Sequence, residues 1–227
     1  DAIEADLMAL GAVAVHRRVT PNEDWSSLWK LHFKPVRVGR RLVIRPTWEA
    51  FESGTDDLVI VLDPGQAFGT GDHATTRLCL RRLEDRVTAE STVLDLGAGS
   101  GILAIAAKLL GAPQVDASDI DPISVEVARD NAALNQVDIH CFCAEGFDDQ
   151  RLAHEWDVVV SNIISATLIR LAPDAFVRVR PGGVWIVSGI IEANWPDVRA
   201  AAEATGFAFV ESEIEGDWVG ATFLRPI

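Results

Sequence analysis

The sequence predicts an α/β protein with a doubly wound, mostly parallel sheet that ends in an antiparallel hairpin. Apolar segments of strand and helix type alternate from Leu58 onward, which is typical of parallel strands joined by crossover helices. A glycine-rich turn at 95–101 joins one of these strands to the next helix. The last two predicted strands, 207–214 and 218–224, are separated by only three residues. So short a connection requires antiparallel pairing.

Residues 1–50 are predicted to form an α+β segment that precedes this sheet. The patterns indicate a helix at 1–10, a strand at 12–16, a helix at 24–33 and a strand pair at 36–44. Pro35 ends the second helix, because proline lacks the backbone donor that a helix needs. A segment this short cannot bury a core alone. We therefore interpret residues 1–50 as the remnant of a truncated N-terminal domain plus a linker, and residues 51–227 as a second domain.

Strands and helices alternate through the second domain. We predict strands at 58–62, 92–95, 115–120, 139–143, 157–161 and 184–188, and helices at 75–83, 102–110, 122–134, 165–178 and 193–204. Pro122 lies in the first turn of its helix, where a proline is tolerated because the first backbone N–H groups have no intrahelical acceptor. Gly206 ends the last helix.

The composition favours one large core in a protein that is not inserted in a membrane. The 227 residues are 48% hydrophobic, which is ample for one full core plus a small appendage. No stretch approaches 18 consecutive apolar residues and no secretory signal opens the chain, so we expect a cytoplasmic protein. The three cysteines are too few for a disulfide framework, and we expect no metal site. Cys141 and Cys143 alternate in a predicted strand and are interpreted as small core residues.

Charge is distributed unevenly along the chain. The formal net charge is −14, but the segment between Trp25 and Trp48 carries six basic residues and no acid. The remainder therefore carries −14 − 6 = −20. An acidic body of this kind suits a basic partner and disfavours direct contact with nucleic acid.

The turn Asp-Leu-Gly-Ala-Gly-Ser-Gly at 95–101 indicates a nucleoside site. Glycines allow a tight strand-to-helix turn and the close approach of a ligand. The spacing Gly99-x-Gly101-x-x-Ala104 also fits a dinucleotide pattern, and a glycine turn without any ligand is a third interpretation. A carboxylate at Asp95 would repel pyrophosphate, whereas it would attract the ammonium and sulfonium of S-adenosylmethionine. Asp119 lies 22 residues after Gly97, the right reach for accepting ribose hydroxyls.

A second glycine-rich segment is more specific than this turn. The loop at 62–76, LDPGQAFGTGDHATT, strongly resembles the signature loop of the PrmA-type methyltransferases, which methylate a protein of the large ribosomal subunit. The resemblance continues at 95–101, 119–122, 160–164 and 188–190. It implies a catalytic domain with a seven-stranded Rossmann-like methyltransferase sheet, joined to an N-terminal substrate-binding domain. It also implies S-adenosylmethionine as donor, and lysine ε-amines and an α-amine of the ribosomal protein as acceptors.

Asn162 is the candidate catalytic residue. It follows a predicted strand, where ligands bind in sheets of this kind, and its amide oxygen can accept a hydrogen bond from the target amine or hold the cofactor. The alternative is a cap on the helix that starts at Ser165. The resemblance implies that Thr76 contacts the cofactor at a helix start, and a simple helix cap is the alternative there.

The remaining candidates complete the predicted site. Phe68 is expected to cover the cofactor or substrate channel, with a core position as the alternative. Glu145 is expected to accept from the adenine amine, with a solvated loop acid as the alternative. His73 is interpreted as a bystander rather than a base, and Asp121 as a cap of helix 122–134 that supports Asp119. The predicted cofactor-binding residues are Phe68, Thr76, Asp95, Gly97, Gly99, Gly101, Asp119, Glu145 and Asn162.

Three other functions remain open on the residues alone. The acceptor could be another protein lysine or a small amine. The dinucleotide spacing permits a NAD-dependent oxidoreductase. A non-catalytic module that binds a ribosomal partner would also carry a nucleoside pocket.

Overall fold

The computed structural model describes Leu10, residues 33–62, Gly69 and residues 71–227. The chain divides into two compact units, Asp1–Phe33 and Lys34–Ile227. The elements predicted before residue 33, and Phe68 in the signature loop, lie outside the described residues. The domain boundary at residue 50 stays a prediction.

Strands and helices alternate in the described part of the second unit as predicted. The strands are β1 (Val36–Val38), β2 (Leu42–Pro46), β3 (Leu58–Leu62), β4 (Thr92–Leu96), β5 (Gln114–Asp119), β6 (His140–Cys143), β7 (Trp156–Asn162), β8 (Val179–Ile191), β9 (Ala208–Glu215) and β10 (Trp218–Leu224). The helices are α1 (Ala74–Arg86), α2 (Ile102–Leu109), α3 (Pro122–Leu134), α4 (Ser165–Arg178) and α5 (Trp195–Ala204). None of these helices is long and apolar enough to cross a membrane.

Seven strands form one sheet in the order β6-β5-β4-β7-β8-β10-β9. Strands β4 to β8 pair in parallel, whereas β10 pairs antiparallel with both β8 and β9. This arrangement confirms the predicted doubly wound sheet and its terminal hairpin.

Strand β8 is much longer than the predicted 184–188. It begins at Val179, opposite Trp156 of β7, and it ends at Ile191, opposite Trp218 of β10. Residues 181–183, which precede the predicted strand, continue β8, and Gly182 donates its N–H to the carbonyl of Arg225 at 2.8 Å. Long-range pairing therefore extends this strand beyond its apolar run.

A small second sheet joins β1, β2 and β3. The predicted strand pair around Gly39 is confirmed, since β1 and β2 pair antiparallel. Strand β3 is added to β2 in parallel. The side chain of Asn135, just after α3, binds both backbone groups of Val61 in β3, with N–O distances of 2.7 and 2.8 Å.

The core has one apolar layer on each face of the large sheet. Val93 of β4 belongs to the layer covered by α1, α2 and α3, and Leu94 belongs to the layer covered by α4 and α5. Both faces of a parallel sheet are buried, so its strands are nearly continuous apolar runs. Cys141 is buried as predicted, but Cys143 is exposed because β6 ends there, so its assignment to the core was wrong.

An ion-pair network that the sequence analysis missed attaches α1 to the edge strand β9. Four arginines of α1 contact three glutamates of β9: Arg77, Arg81, Arg82 and Arg86 with Glu211, Glu213 and Glu215. The Nη1 of Arg82 lies 2.9 Å from Glu211 Oε2, although the two residues are far apart in sequence. The network fixes the position of a helix whose first turn contains Thr76.

Candidate cofactor and acceptor site

A cavity of about 420 Å³ lies at the carboxyl ends of β4, β5, β6 and β7. This is the edge where ligands bind in doubly wound sheets. Six predicted site residues line it: Thr76, Gly97, Gly99, Asp119, Glu145 and Asn162. The structure therefore brings together residues from five separate segments of the chain.

The glycine turn forms one wall of this cavity. Gly97 has a φ of +82° and Gly99 a φ of +53°, in the left-handed region that glycine occupies without penalty. A Cβ on Gly97 would lie 2.5 Å from Cγ2 of Ile163. The N–H of Gly97 donates to the carbonyl of Ser118 at 2.8 Å, which fixes the turn against β5.

Gly101 serves the packing of two helices. It caps α2 with a φ of +78°, and a Cβ there would lie 3.0 Å from Cβ of Ala128 in α3. It does not line the cavity. Its predicted contact with the cofactor stays a prediction, whereas its packing role is visible.

Asp95 lies fully buried below the turn, outside the cavity wall. Its Oδ2 accepts the N–H of Ala104 in α2 at 3.0 Å, and its Oδ1 has no partner among the described residues. Burial raises the pKa of this carboxyl to about 7, although the Ala104 N–H opposes the shift. A dinucleotide site would place pyrophosphate at this helix N-terminus. Here the carboxyl of Asp95 already accepts a hydrogen bond from one N–H group of that helix, that of Ala104.

Asp119 uses both carboxylate oxygens to order the edge of the cavity. Its Oδ2 accepts the N–H of Gly99 at 2.8 Å, and its Oδ1 accepts the N–H of Asp121 at 3.0 Å. Asp121 in turn caps α3, because its Oδ1 accepts the N–H of Ile123 at 3.0 Å. The predicted capping and support roles of Asp121 are confirmed.

Replacing Asp121 with alanine should separate these two roles. Loss of the cap should lower the free energy of unfolding by about 1 kcal/mol, measured by urea denaturation. Asp119 binds the backbone N–H of residue 121, so affinity for S-adenosylmethionine should change less than about threefold, a difference of under 1 kcal/mol. A large affinity loss with unchanged stability would contradict this division of roles.

Asn162 and Thr76 meet at the opposite end of the cavity. Asn162 ends β7, and its Nδ2 donates to Oγ1 of Thr76 at 3.4 Å. Neither residue acts as the helix cap considered above, because Ile164 is the N-cap of α4 and His73 that of α1. With its Nδ2 directed to Thr76, Asn162 has its amide oxygen left as an acceptor.

Gly189 holds the segment after Asn162 in place, a role that the sequence analysis missed. Its φ is +82°, and a Cβ there would lie 2.5 Å from the carbonyl oxygen of Ile163. The backbone of β8 can therefore approach Ile163 closely, and Ile163 in turn packs above Gly97.

The remaining candidates have clear positions. His73 caps α1 by accepting the N–H of Thr75 at 3.4 Å, and its ring contacts Trp218 at 4.9 Å between centroids. This is a structural role, and the interpretation of His73 as a bystander rather than a base stays a prediction. Glu145 is exposed and lines the cavity just beyond β6. Thr167 and Arg170 of α4 also line it, and no local motif marked them.

The signature loop and the glycine turn contact each other. The hydroxyl of Ser100 donates to the carbonyl of Gly69 at 2.7 Å, in a buried position. Gly69 also lines the cavity. The middle of the signature loop is therefore attached, through Gly69, to the turn that carries Gly97 and Gly99.

A family model described as ribosomal protein L11 methyltransferase (PrmA) matches residues 1–225. The chain belongs to this family. Curated relatives of that name include one from Heliobacterium modesticaldum, 50% identical over 89% of this chain and 64% of its own length. Another, from Pelotomaculum thermopropionicum, is 47% identical over 96% of this chain and 71% of its own length. The chain thus spans about two thirds of the length of these relatives.

Solved structures agree with the membership of the PrmA family. A ribosomal protein L11 methylase from Lactobacillus delbrueckii subsp. bulgaricus has a TM-score of 0.81 and 35% identity, over 86% of this chain and 100% of that chain. A 16S rRNA methyltransferase from T. thermophilus, solved with AdoMet and guanosine, has a TM-score of 0.58 and 21% identity over 71% of this chain and 45% of that chain. The second likeness shows the fold alone, which is that of methyltransferases with a Rossmann-like sheet.

Proposed function

We propose that this chain carries the catalytic domain of an S-adenosylmethionine-dependent N-methyltransferase that acts on ribosomal protein L11. The acceptors that we propose are lysine ε-amines and an α-amine, and a cytoplasmic location follows from such a substrate. One observation carries the proposal. In a chain of the PrmA family, the glycine turn, Asp119 and the Asn162–Thr76 pair line a single cavity.

The residues of the cavity fit S-adenosylmethionine. Gly97 presents only its backbone to the cavity, because a Cβ there would lie 2.5 Å from Cγ2 of Ile163. Asp119 offers carboxylate lone pairs to ribose hydroxyls, and Thr76 in the first turn of α1 offers a hydroxyl near a helix N-terminus, which suits a carboxylate. When bound, the cofactor supplies a sulfonium methyl group for transfer.

The chain must present the acceptor amine in its neutral form. A free lysine has a pKa of about 10.4, so deprotonation at pH 7 costs roughly 4.6 kcal/mol. Apolar walls such as Leu96 and Ile163 lower this cost, because desolvation disfavours the ammonium. In this proposal the Oδ1 of Asn162 accepts an N–H of the neutral amine and so orients its lone pair. No strong base is needed in this scheme.

The charge of the chain favours a basic protein as substrate. The net charge is −14, and a field of this sign attracts lysine-rich segments and repels nucleic acid. We therefore propose direct contact with the ribosomal protein rather than with ribosomal RNA.

Replacing Asn162 with alanine should lower kcat for methyl transfer by about 10- to 30-fold, since a hydrogen bond of this kind contributes about 1.5–2 kcal/mol. Affinity for S-adenosylmethionine, measured by calorimetry, should fall much less. Asn194→Ala is a matched control, because Asn194 makes one long side-chain bond to Ser165 outside the cavity. Equal activity of the two variants would remove Asn162 from the catalytic role.

The function itself is tested by transfer of a labelled methyl group from S-adenosylmethionine to purified ribosomal protein L11, with mass spectrometry to locate the product amines. Label on lysine or α-amino nitrogen supports the proposal. In a second experiment, calorimetry compares the affinities of the protein for S-adenosylmethionine and for NAD. Binding of NAD alone, or binding of S-adenosylmethionine to the full-length protein without transfer to any amine, would refute it.

A further inference from the structure

The cavity has two chemically different ends. The strand order β6-β5-β4-β7 places Glu145 beyond β6 at one end and Asn162 on β7 at the other. Asp119 on β5 lies between them. If the acceptor amine binds at Asn162 and the ribose at Asp119, the adenine base occupies the end beside Glu145. This assignment rests on the proposed function.

Helix α4 contributes a cation to the base end. Thr167, Arg170 and Leu171 line the cavity at helical spacing. A Cβ on Gly146 would lie 2.9 Å from Cδ2 of Leu171, so this part of α4 packs directly on the segment that carries Glu145. Arg170 directly precedes Leu171 in α4 and lines the same cavity.

Arg170 is chemically available for a ligand. Within the described part of the chain, it is the one Lys, Arg or His that lines the cavity, and it has no hydrogen bond or ion pair. Arg151, by contrast, binds Asp149 at 2.7 Å and lies 4.2 Å from the centroid of the Phe142 ring. An exposed guanidinium without a protein partner at a cavity wall is a group that can bind there.

We propose that Arg170 determines recognition of the adenine base by packing its guanidinium plane on the base. A planar, weakly hydrated guanidinium stacks well on π systems, which a lysine ammonium does not do. In addition, Glu145 accepts a hydrogen bond from the exocyclic amine of the same adenine base. With Arg170 at the adenine end, its positive charge does not oppose the approach of the acceptor amine at Asn162.

Calorimetry with three ligands tests this assignment. Arg170→Ala should weaken S-adenosylmethionine, S-adenosylhomocysteine and methylthioadenosine by the same factor of about 5 to 10, because all three share the adenosine. Arg170→Lys should not restore affinity for any of the three ligands. Arg178→Ala removes the same charge from the end of α4, away from the cavity, and should bind all three ligands like wild type.

The outcomes separate this inference from the proposed function. Unchanged affinities in Arg170→Ala, or a loss confined to the two ligands that carry the amino-acid group, would overturn the role of Arg170 while wild-type binding upholds the cofactor assignment. Restoration of affinity by Arg170→Lys would replace stacking with a simple charge effect and so overturn the proposal. A wild-type protein that binds none of the three ligands would refute the proposed function and this inference together.

Discussion

Replacing Gly97 with alanine is expected to weaken binding of S-adenosylmethionine by about 100-fold. Two costs combine at this residue. A left-handed backbone costs an alanine roughly 1–2 kcal/mol, and the φ of Gly97 is +82°. The added Cβ would lie 2.5 Å from Ile163, and overpacking of this kind costs about 1–3 kcal/mol. The turn can relieve both costs only by leaving the conformation that forms the cavity wall.

Gly216→Ala provides a matched control for the backbone term. Gly216 has a φ of +62°, but nothing lies within 4 Å of a Cβ placed there. This variant should lose about 1 kcal/mol of stability, measured by urea denaturation, and keep wild-type cofactor affinity by calorimetry. Equal affinity losses in the two variants would show that the contact with Ile163 is irrelevant.

Replacing Asp95 with asparagine is expected to change how stability depends on pH. In the folded protein, burial raises the pKa of Asp95 from 3.8 to about 7. Between these values the folded state holds a proton that the unfolded state has released, so the stability of wild type falls as pH rises. The shift of about three pH units corresponds to at most about 4 kcal/mol of unfolding free energy. Wild type has lost this full amount above pH 7. The asparagine variant lacks this loss.

Urea denaturation between pH 4 and pH 8 measures the effect. The unfolding free energy of Asp95→Asn minus that of wild type should increase as the pH is raised across this range. The difference should become constant above about pH 7. The negative charge of Asp119 raises the pKa of Asp95 in the same direction as burial. Parallel pH profiles for the two proteins would mean that Asp95 is ionised throughout.

The order and type of the described elements follow from the sequence alone. Helices 122–134 and 165–178 and strand 218–224 have the bounds predicted for them, because apolar periodicity and the start at Pro122 are local signals. The hairpin was predictable since three residues cannot connect parallel strands. The glycine turn and Asp119 were predicted as a nucleoside site from short local motifs, and in the structure Gly97, Gly99 and Asp119 line one cavity.

The tertiary structure alone decided which residues share the cavity and how far some elements extend. Asn162 and Thr76 are 86 positions apart in sequence, yet their side chains are in hydrogen-bonding distance. Gly101 faces Ala128, whereas Gly97 faces Ile163, and no spacing distinguishes the two glycines. Arg170 lines the cavity on a helix that packs, through Leu171, on Gly146 beyond the end of β6. These contacts depend on the order in which strands pair across the sheet, which local periodicity does not encode.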